Sequence, residues 1–353
     1  MNTPTSGAPR RATISDVARE AGTGKTSISR YLNGELSVLS PQLRARIEAA
    51  IERLDYQPNQ MARGLKRGRN RLIGMLVADL TNPYSVEVLQ GVEAACHALG
   101  YMPLICHAAN EVDMERRFLQ LLTTYRVEGV IVNALGVSEE TLRPVGDGGI
   151  PAVLVDRSVD GLVTDMVGLD NEGATMLATR HLVERGFDRL WFVVQPFEHI
   201  SSRRQREAAF HQALEQYPQV SGRTVVLELG DADELAQTLN ALDAELDAAI
   251  DTQAQNEGAP RVALFAANGP VALALARHLN QRHGPNWQKR VALLSIDDPE
   301  WAELAGITTI RQPTYDIGYR AVEFLHQRID GEQSSARDCL LPGELIERAS
   351  TAR

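Results

Sequence analysis

Cysteine is scarce in this chain: Cys96, Cys106 and Cys339 are the only three in 353 residues. Odd in number, widely spaced and without a Cys-x-x-Cys pair, they supply neither a disulfide framework nor a zinc site. No apolar run approaches the roughly 20 residues that span a bilayer, and the amino terminus lacks the apolar stretch of a signal peptide. The expectation is a cytoplasmic protein without a membrane partner. Catalytic motifs are missing as well. There is no Gly-x-Ser-x-Gly elbow, no Gly-x-Gly-x-x-Gly after a strand and no His-Glu-x-x-His, and the eight histidines do not cluster at metal spacing. An enzyme is therefore not expected, and no cofactor or metal is called for.

What is present is a soluble globular composition, 44% hydrophobic and 23% charged, with length enough for two or three domains. The net charge of -10 hides an asymmetry. Residues 1–71 hold 13 Lys+Arg against 6 Asp+Glu, and the remaining 282 hold 23 against 40. A basic head on an acidic body suits nucleic-acid binding, because phosphate attraction is wanted at the head and would be indiscriminate elsewhere.

Residues 13–34 read as a helix, a glycine turn and a second helix, the layout of a helix-turn-helix DNA reader. Thr13 and Asp16 stand close to a capping box, Val17, Ala18 and Ala21 form an apolar stripe, and Gly22 ends the helix. In the second helix Ile28 and Leu32 turn inward at i, i+4, leaving Lys25, Thr26, Ser29 and Arg30 to face a major groove. The competing reading is an ordinary amphipathic helix pair with a solvated face. Gly24-Lys25-Thr26 mimics the end of a phosphate-cradling loop, but Arg19 stands where that motif needs its first glycine. A third helix begins at Ser40-Pro41 and carries Leu43, Ile47, Ala50, Ile51 and Leu54 at helical spacing. A proline stop at Pro58, a cap at Asn59, about two turns of helix and a basic linker follow. So short a helix is marginal alone.

From Leu72 onward short apolar strands alternate with amphipathic helices, the signature of parallel α/β domains. One series of strands is expected at 72–77, 102–106, 130–133 and 152–155, with a helix at 85–99. A second series is expected at 190–194, 225–227, 262–266 and 291–295. Two series imply two lobes, with ligand bound between them at the carboxyl ends of the strands.

Residues 13–71 resemble the head and hinge of the LacI family of bacterial transcription regulators, and the resemblance extends over about residues 12–351. The words that carry it include Tyr-x-Pro-Asn-x-x-Ala-x-x-Leu at the hinge, Asp79-Leu80-Thr81-Asn82-Pro83-Tyr84, Val155-Asp156-Arg157, Gly168-Leu169-Asp170-Asn171 opening the second lobe, Ala266-Ala267-Asn268-Gly269, Ser295-Ile296-Asp297-Asp298, and a crossover at Thr308-Thr309-Ile310-Arg311-Gln312-Pro313. The resemblance implies an α/β chain with a three-helix head (1–57), a hinge helix and linker (58–71) and a two-lobed, periplasmic-binding-protein-like body with parallel sheets (72–353). It also implies a homodimer on palindromic double-stranded operator DNA, most often as a repressor, controlled by a small sugar-type effector. DNA would be met by Thr13, Lys25, Thr26, Ser29, Arg30 and Asn33, and by Asn59, Ala62, Leu65 and Lys66 of the hinge. Leu65 would wedge into the minor groove, or else serve as a packing residue. One departure is Gly24, where the family usually caps with serine; glycine still caps tolerably.

The effector would be held by Arg206, whose fork suits a carboxylate or hydroxyl pair, by Asp297 and Asn268 for hydroxyls, by Tyr84 against a ring face, and by Gln312. The plainer alternatives are a helix cap for Asp297-Asp298 and a turn for Asn268. Gly269 stands where an Asp is common, and Ser201-Ser202-Arg203-Arg204-Gln205-Arg206 brings arginines close, which favours an anion over a neutral sugar unless Arg203 and Arg204 are solvated. The wording of residues 25–34 is similar to the sugar-acid branch, with ketogluconate or gluconate as first choice. A solute-binding protein without a DNA role, or a regulator answering a neutral sugar or purine, stays open. With no leucine heptads after Gly343, the assembly expected is a dimer.

Overall fold

Thr13 and Asp16 close the first helix with a reciprocal cap: the Thr13 backbone and hydroxyl donate to the Asp16 carboxylate at 2.9 and 2.6 Å, and the Asp16 backbone donates back to Thr13. Such a cap is worth about 1 kcal/mol. The computed structural model describes residues 11–57, 69–133, 142, 150–159, 161–255 and 261–352. It divides into two units, Met1–Asn70 and Arg71–Arg353.

In the first unit α1 (Ile14–Glu20), α2 (Lys25–Leu32) and α3 (Pro41–Arg53) surround Val17, Ala18, Ala21, Ile28, Leu39, Ile47 and Ala50, all buried. Gly22 sits at φ +59°, a left-handed turn that glycine adopts without steric cost. Arg46 of α3 closes this turn. Its Nε donates to the Ala21 carbonyl at 3.0 Å and its Nη2 to the Gly22 carbonyl at 2.8 Å, satisfying groups the helix end leaves open. Ser40 caps α3, accepting from the Leu43 backbone at 3.2 Å. The hinge residues Asn59, Ala62, Leu65 and Lys66 lie outside the described residues.

The second unit opens with β1 (Leu72–Val77), α4 (Pro83–Leu99), β2 (Met102–His107), α5 (Val112–Thr124), β3 (Gly129–Asn133), β4 (Ala152–Val155) and β5 (Asp165–Leu169). It continues with α6 (Asn171–Glu184), β6 (Arg189–Val194), α7 (Ser201–Glu215), β7 (Ser221–Val226), α8 (Ala232–Gln255), β8 (Val262–Ala266), α9 (Gly269–His283), β9 (Ala292–Ile296) and α10 (Glu300–Leu304). The last elements are β10 (Thr308–Arg311), α11 (Thr314–Ile329), β11 (Asp338–Leu341) and β12 (Glu344–Ile346). The strands form two six-stranded sheets, ordered β11-β5-β4-β3-β1-β2 and β12-β10-β9-β8-β6-β7, parallel throughout except for β12 against β10. Buried aliphatic runs such as Val262–Ala266 fit strands covered on both faces.

Two lobes were expected, and the described chain builds two. Four strands fall outside the expected series: β5, β10, β11 and β12. Gly168 and Leu169 end β5 in the first sheet, so the second lobe opens only at Asp170. The carboxyl-terminal stretch is not a plain tail either, because β12 pairs with β10 through Thr309 and Ile346. Beyond it Ser350 donates to the Leu293 carbonyl at 2.5 Å, and Thr351 meets Thr308 at 2.7 Å and His181 at 2.8 Å, all in the interior.

The chain passes between lobes three times, after β5, after β10 and between β11 and β12. Gly343 lies on the third passage against the other two: a Cβ there would stand 2.5 Å from Ile310 and 3.3 Å from Leu169. A still closer approach joins α4 to α11. A methyl on Gly91 would lie 2.0 Å from the Tyr315 carbonyl oxygen, and one on Gly318 would lie 2.0 Å from that of Val88. At the far end Asp165, its side chain 1% exposed, holds Arg328 and Arg337 at 2.8 Å each. All three cysteines are free thiols. Among the described residues no helix is long and apolar enough to cross a membrane.

Candidate ligand cleft and nucleic-acid interface

Helix α2 presents the residues expected to face DNA. Lys25, Thr26 and Arg30 are exposed, Ser29 and Asn33 are partly so, and Ile28 on the opposite side is fully buried in the head core. No acidic residue stands in the first turn of α2. Thr13 is exposed, with its hydroxyl engaged in the α1 cap. Gly24 caps α2 with extended backbone and no side-chain bond, and nothing lies within 4 Å of where its Cβ would be.

In the body, Tyr84, Arg206, Asn268, Asp297 and Gln312 converge on one cleft at the carboxyl ends of the strands of both sheets. Tyr84 stands in the first turn of α4 after β1, and Asp156 directly follows β4. Asn268 and Asp297 follow β8 and β9, and Gln312 follows β10. Open α/β sheets place ligands in this position. Asp156 and Asp297 take left-handed backbone, φ +70° and +79°, a strained conformation that turns each carboxylate off its strand end.

Arg206 is 4% exposed, and two of its three nitrogens are hydrogen-bonded. Nε donates to Asn171 Oδ1 at 2.7 Å, Nη1 donates to the Ala267 carbonyl at 2.7 Å, and Nη2 lies 4.0 Å from Asp156. Asp297 accepts from the Gly269 backbone at 2.8 Å and from Gln312 at 2.5 Å. Asn268 caps α9 through the Val271 backbone and donates to Gln195 Oε1 at 2.9 Å. Gln195 Oε1 also accepts from Arg203 Nη2, at 2.9 Å. The aspartate pair splits in role. Neither member caps α10, whose Pro299 cap makes no side-chain bond; Asp298 holds Arg311 and Arg348 at 2.7 and 2.6 Å, while Asp297 turns to the cleft.

The electrostatics register this crowding. Burial holds the Tyr84 hydroxyl well above the usual phenol range, with Asp156 and Asp297 adding to the rise and Arg206 and Arg157 opposing it. Burial also raises the Asp297 carboxyl, against the pull of Arg206, the Gly269 amide and Gln312. Among the described residues two polar atoms in the cleft are buried without a hydrogen-bond partner: the Tyr84 hydroxyl and Gln312 Oε1. A buried group of this kind costs about 1–3 kcal/mol, so two at one site mark where a ligand would be received.

Asp156, Asn171, Gln195 and Arg203 belong to this cleft and were not among the expected site residues. Asp156 and Asn171 lie within family words at strand ends, which was the available signal. Gln195 directly follows β6, another strand end, and Arg203 stands in the arginine-rich stretch before Arg206 that had favoured an anion.

Comparison with known proteins gives two family matches: the bacterial regulatory proteins of the lacI family over residues 13–59, and the periplasmic binding protein-like domain over residues 179–351. The HTH-type transcriptional regulator PtxS of Pseudomonas aeruginosa is 42% identical over 343 residues, covering 97% of this chain and 96% of that one. The HTH-type transcriptional regulator KdgR of Bacillus subtilis is 33% identical over 342 residues, covering 96% and 97%. Among solved structures, the lac repressor dimer bound to operator and the anti-inducer ONPF superposes with a TM-score of 0.81 at 24% identity, over 97% of this chain and 99% of that one.

Proposed function

The chain belongs to the lacI family of bacterial regulatory proteins, and from that premise we propose a cytoplasmic homodimer that binds a palindromic operator and releases or grips it according to a small sugar-type effector, a sugar acid such as 2-ketogluconate or gluconate. It is a DNA-binding transcriptional regulator and not an enzyme. In this reading Lys25, Thr26, Ser29, Arg30 and Asn33 reach the major groove, with Thr13 near the backbone; Asn59, Ala62, Leu65 and Lys66 form the hinge that enters the minor groove. Tyr84, Arg206, Asn268, Asp297 and Gln312 receive the effector.

The observation that carries the effector reading is the pair of unpartnered buried atoms, the Tyr84 hydroxyl and Gln312 Oε1, beside Asp297 and Arg206. A polyhydroxy ligand supplies donors and acceptors to both. The resemblance of residues 25–34 to the sugar-acid branch, and Gly269 in place of a common acid, favour an anionic one. An aspartate at Gly269 would stand against Asp297, since a Cβ there already lies 3.4 Å from its Oδ2.

Thermal melting with sugars, sugar acids and purines tests the class, because a ligand selective for the folded state raises the midpoint with concentration. A gluconate-type acid should raise it, and the same acid should change affinity for a dyad-symmetric DNA site. A shift produced only by purines or neutral sugars overturns the sugar-acid assignment.

A further inference from the structure

Among the described residues the cleft contains Arg157, Arg203 and Arg206, and two of these cations lie at the Asp156 carboxylate. Arg157 bonds Asp156 at 3.1 Å, and Arg206 lies at 4.0 Å from the same carboxylate with its other nitrogens taken by Asn171 and the Ala267 carbonyl. Arg203 is different. Its Nη1 donates to the Pro196 carbonyl at 2.8 Å and its Nη2 to Gln195 Oε1 at 2.9 Å, both neutral, and among the described residues no carboxylate lies within ion-pair distance of it.

Its place in the fold sharpens the imbalance. Arg203 sits in the first turn of α7, a 15-residue helix whose Ile200 cap makes no side-chain bond and whose first turn holds no acid. That end of a helix favours negative charge and disfavours a cation. Burial, with Arg157 and Arg206 adding to it and Asp156 and Glu228 opposing it, pushes the Arg203 guanidinium down to about 10. The neighbouring Ser201 and Ser202 are buried, and Ser201 Oγ accepts from the Ser158 backbone at 3.0 Å, so the helix start faces the loop that follows β4. A half-buried cation at a helix amino terminus, hydrogen-bonded only to neutral groups among the described residues, is placed to receive an external anion.

We infer that Arg203, with the amino terminus of α7, receives the carboxylate of the effector, and that Arg206, which also holds Asn171 and the Ala267 carbonyl, is left to the sugar hydroxyls. This rests on the sugar-acid reading above and refines it by naming the residue that separates an acid from its neutral parent. Gln195, which joins Arg203 to Asn268, then links the carboxylate end of the ligand to the hydroxyl end.

Titration calorimetry on the full-length chain with 2-ketogluconate, gluconate and glucose tests it in wild type, Arg203→Gln and Gln195→Glu. Gln195→Glu is isosteric and places a counter-ion 2.9 Å from the guanidinium. Wild type should prefer an acid to glucose by roughly tenfold or more, and both variants should bring that ratio near unity. Arg203→Lys should keep part of the preference. Gln195→Glu covers the case in which Arg203→Gln does not fold. Retention of the wild-type acid preference in whichever variants fold overturns the role of Arg203 and leaves the sugar-acid reading standing. A wild type that binds the acids no better than glucose overturns that reading and this inference together.

Discussion

Gln312 donates from Nε2 to Asp297 Oδ1 at 2.5 Å, so the second interlobe passage and the end of β9 meet in the cleft through one amide. That bond orients the Asp297 carboxylate, whose other oxygen is held by the Gly269 backbone, and it leaves Gln312 Oε1 buried in the cleft without a hydrogen-bond partner among the described residues. Burial raises the Asp297 carboxyl above its usual range, against Arg206, the Gly269 amide and Gln312. A raised carboxyl takes up its proton at a higher pH than a free one, and once protonated it accepts hydroxyls less well. Binding of a neutral sugar, which does not itself titrate here, should therefore weaken as the pH falls towards the ordinary carboxylate range, and do so before that range is reached. Calorimetry over that fall in pH should show the decline in wild type and a flat profile in Asp297→Asn. A decline that persists in Asp297→Asn assigns the titration to another group.

Gly91 and Gly318 let α4 and α11 touch backbone to backbone, and both helices begin at the cleft, α4 with Tyr84 and α11 just after Gln312. A Cβ at either glycine meets a carbonyl oxygen at 2.0 Å, which no side-chain rotation relieves. Gly91→Ala and Gly318→Ala should each destabilise the body by about 1–3 kcal/mol or more and weaken effector binding by separating Tyr84 from Gln312. Denaturant unfolding and calorimetry measure the two effects. A wild-type midpoint in either variant would show that the helices can part without cost.

Asp165 should make the body acid-sensitive. Burial alone would raise its carboxyl, but hydrogen bonds from Arg328 and Arg337 outweigh burial and hold it far below the usual range. The folded value therefore lies below the unfolded one. Its stabilisation is complete above the ordinary carboxylate range and is lost as the pH falls towards the folded value. Asp165→Asn should cost on the order of 3 kcal/mol at neutral pH, leaving two arginines without their counter-ion, and should flatten the acid limb of stability against pH. An unchanged acid limb would move that sensitivity elsewhere.

The DNA-facing residues separate by the kind of loss they produce. If Arg30 reads a base, Arg30→Ala costs about 1–3 kcal/mol and relaxes preference at one operator position; a uniform loss across sequences makes it a phosphate contact. If Leu65 is a minor-groove wedge, Leu65→Ala weakens operator binding and bending while the melting temperature and effector affinity stay near wild type. Loss of body stability in Leu65→Ala would make it a packing residue.

The parts of the fold legible in sequence were those fixed by local chemistry. The Thr13–Asp16 cap, the Gly22 turn, the Ser40-Pro41 helix start and the apolar strands of the two sheets each announce themselves within a few residues. What escaped was set by distant partners. β5 is a strand of the first sheet because Asp338–Leu341 and Ala152–Val155 flank it, and β12 exists because Thr309–Arg311 offers an edge; nothing within Glu344–Ile346 says so. The cleft followed the same rule. Arg206, Asp297, Asn268, Tyr84 and Gln312 came from family words, and the structure brings them together. The burial of Arg203 and its bond to Gln195 depend on how the loop after β6 folds back on α7, which helix periodicity does not encode.

The central claim is that effector and operator act on one equilibrium. Operator affinity measured with and without saturating 2-ketogluconate, and 2-ketogluconate affinity measured with and without operator, give two ratios that linkage requires to be equal. The account predicts a common factor clearly different from one. A sugar acid that binds the cleft yet leaves operator affinity unchanged would contradict it.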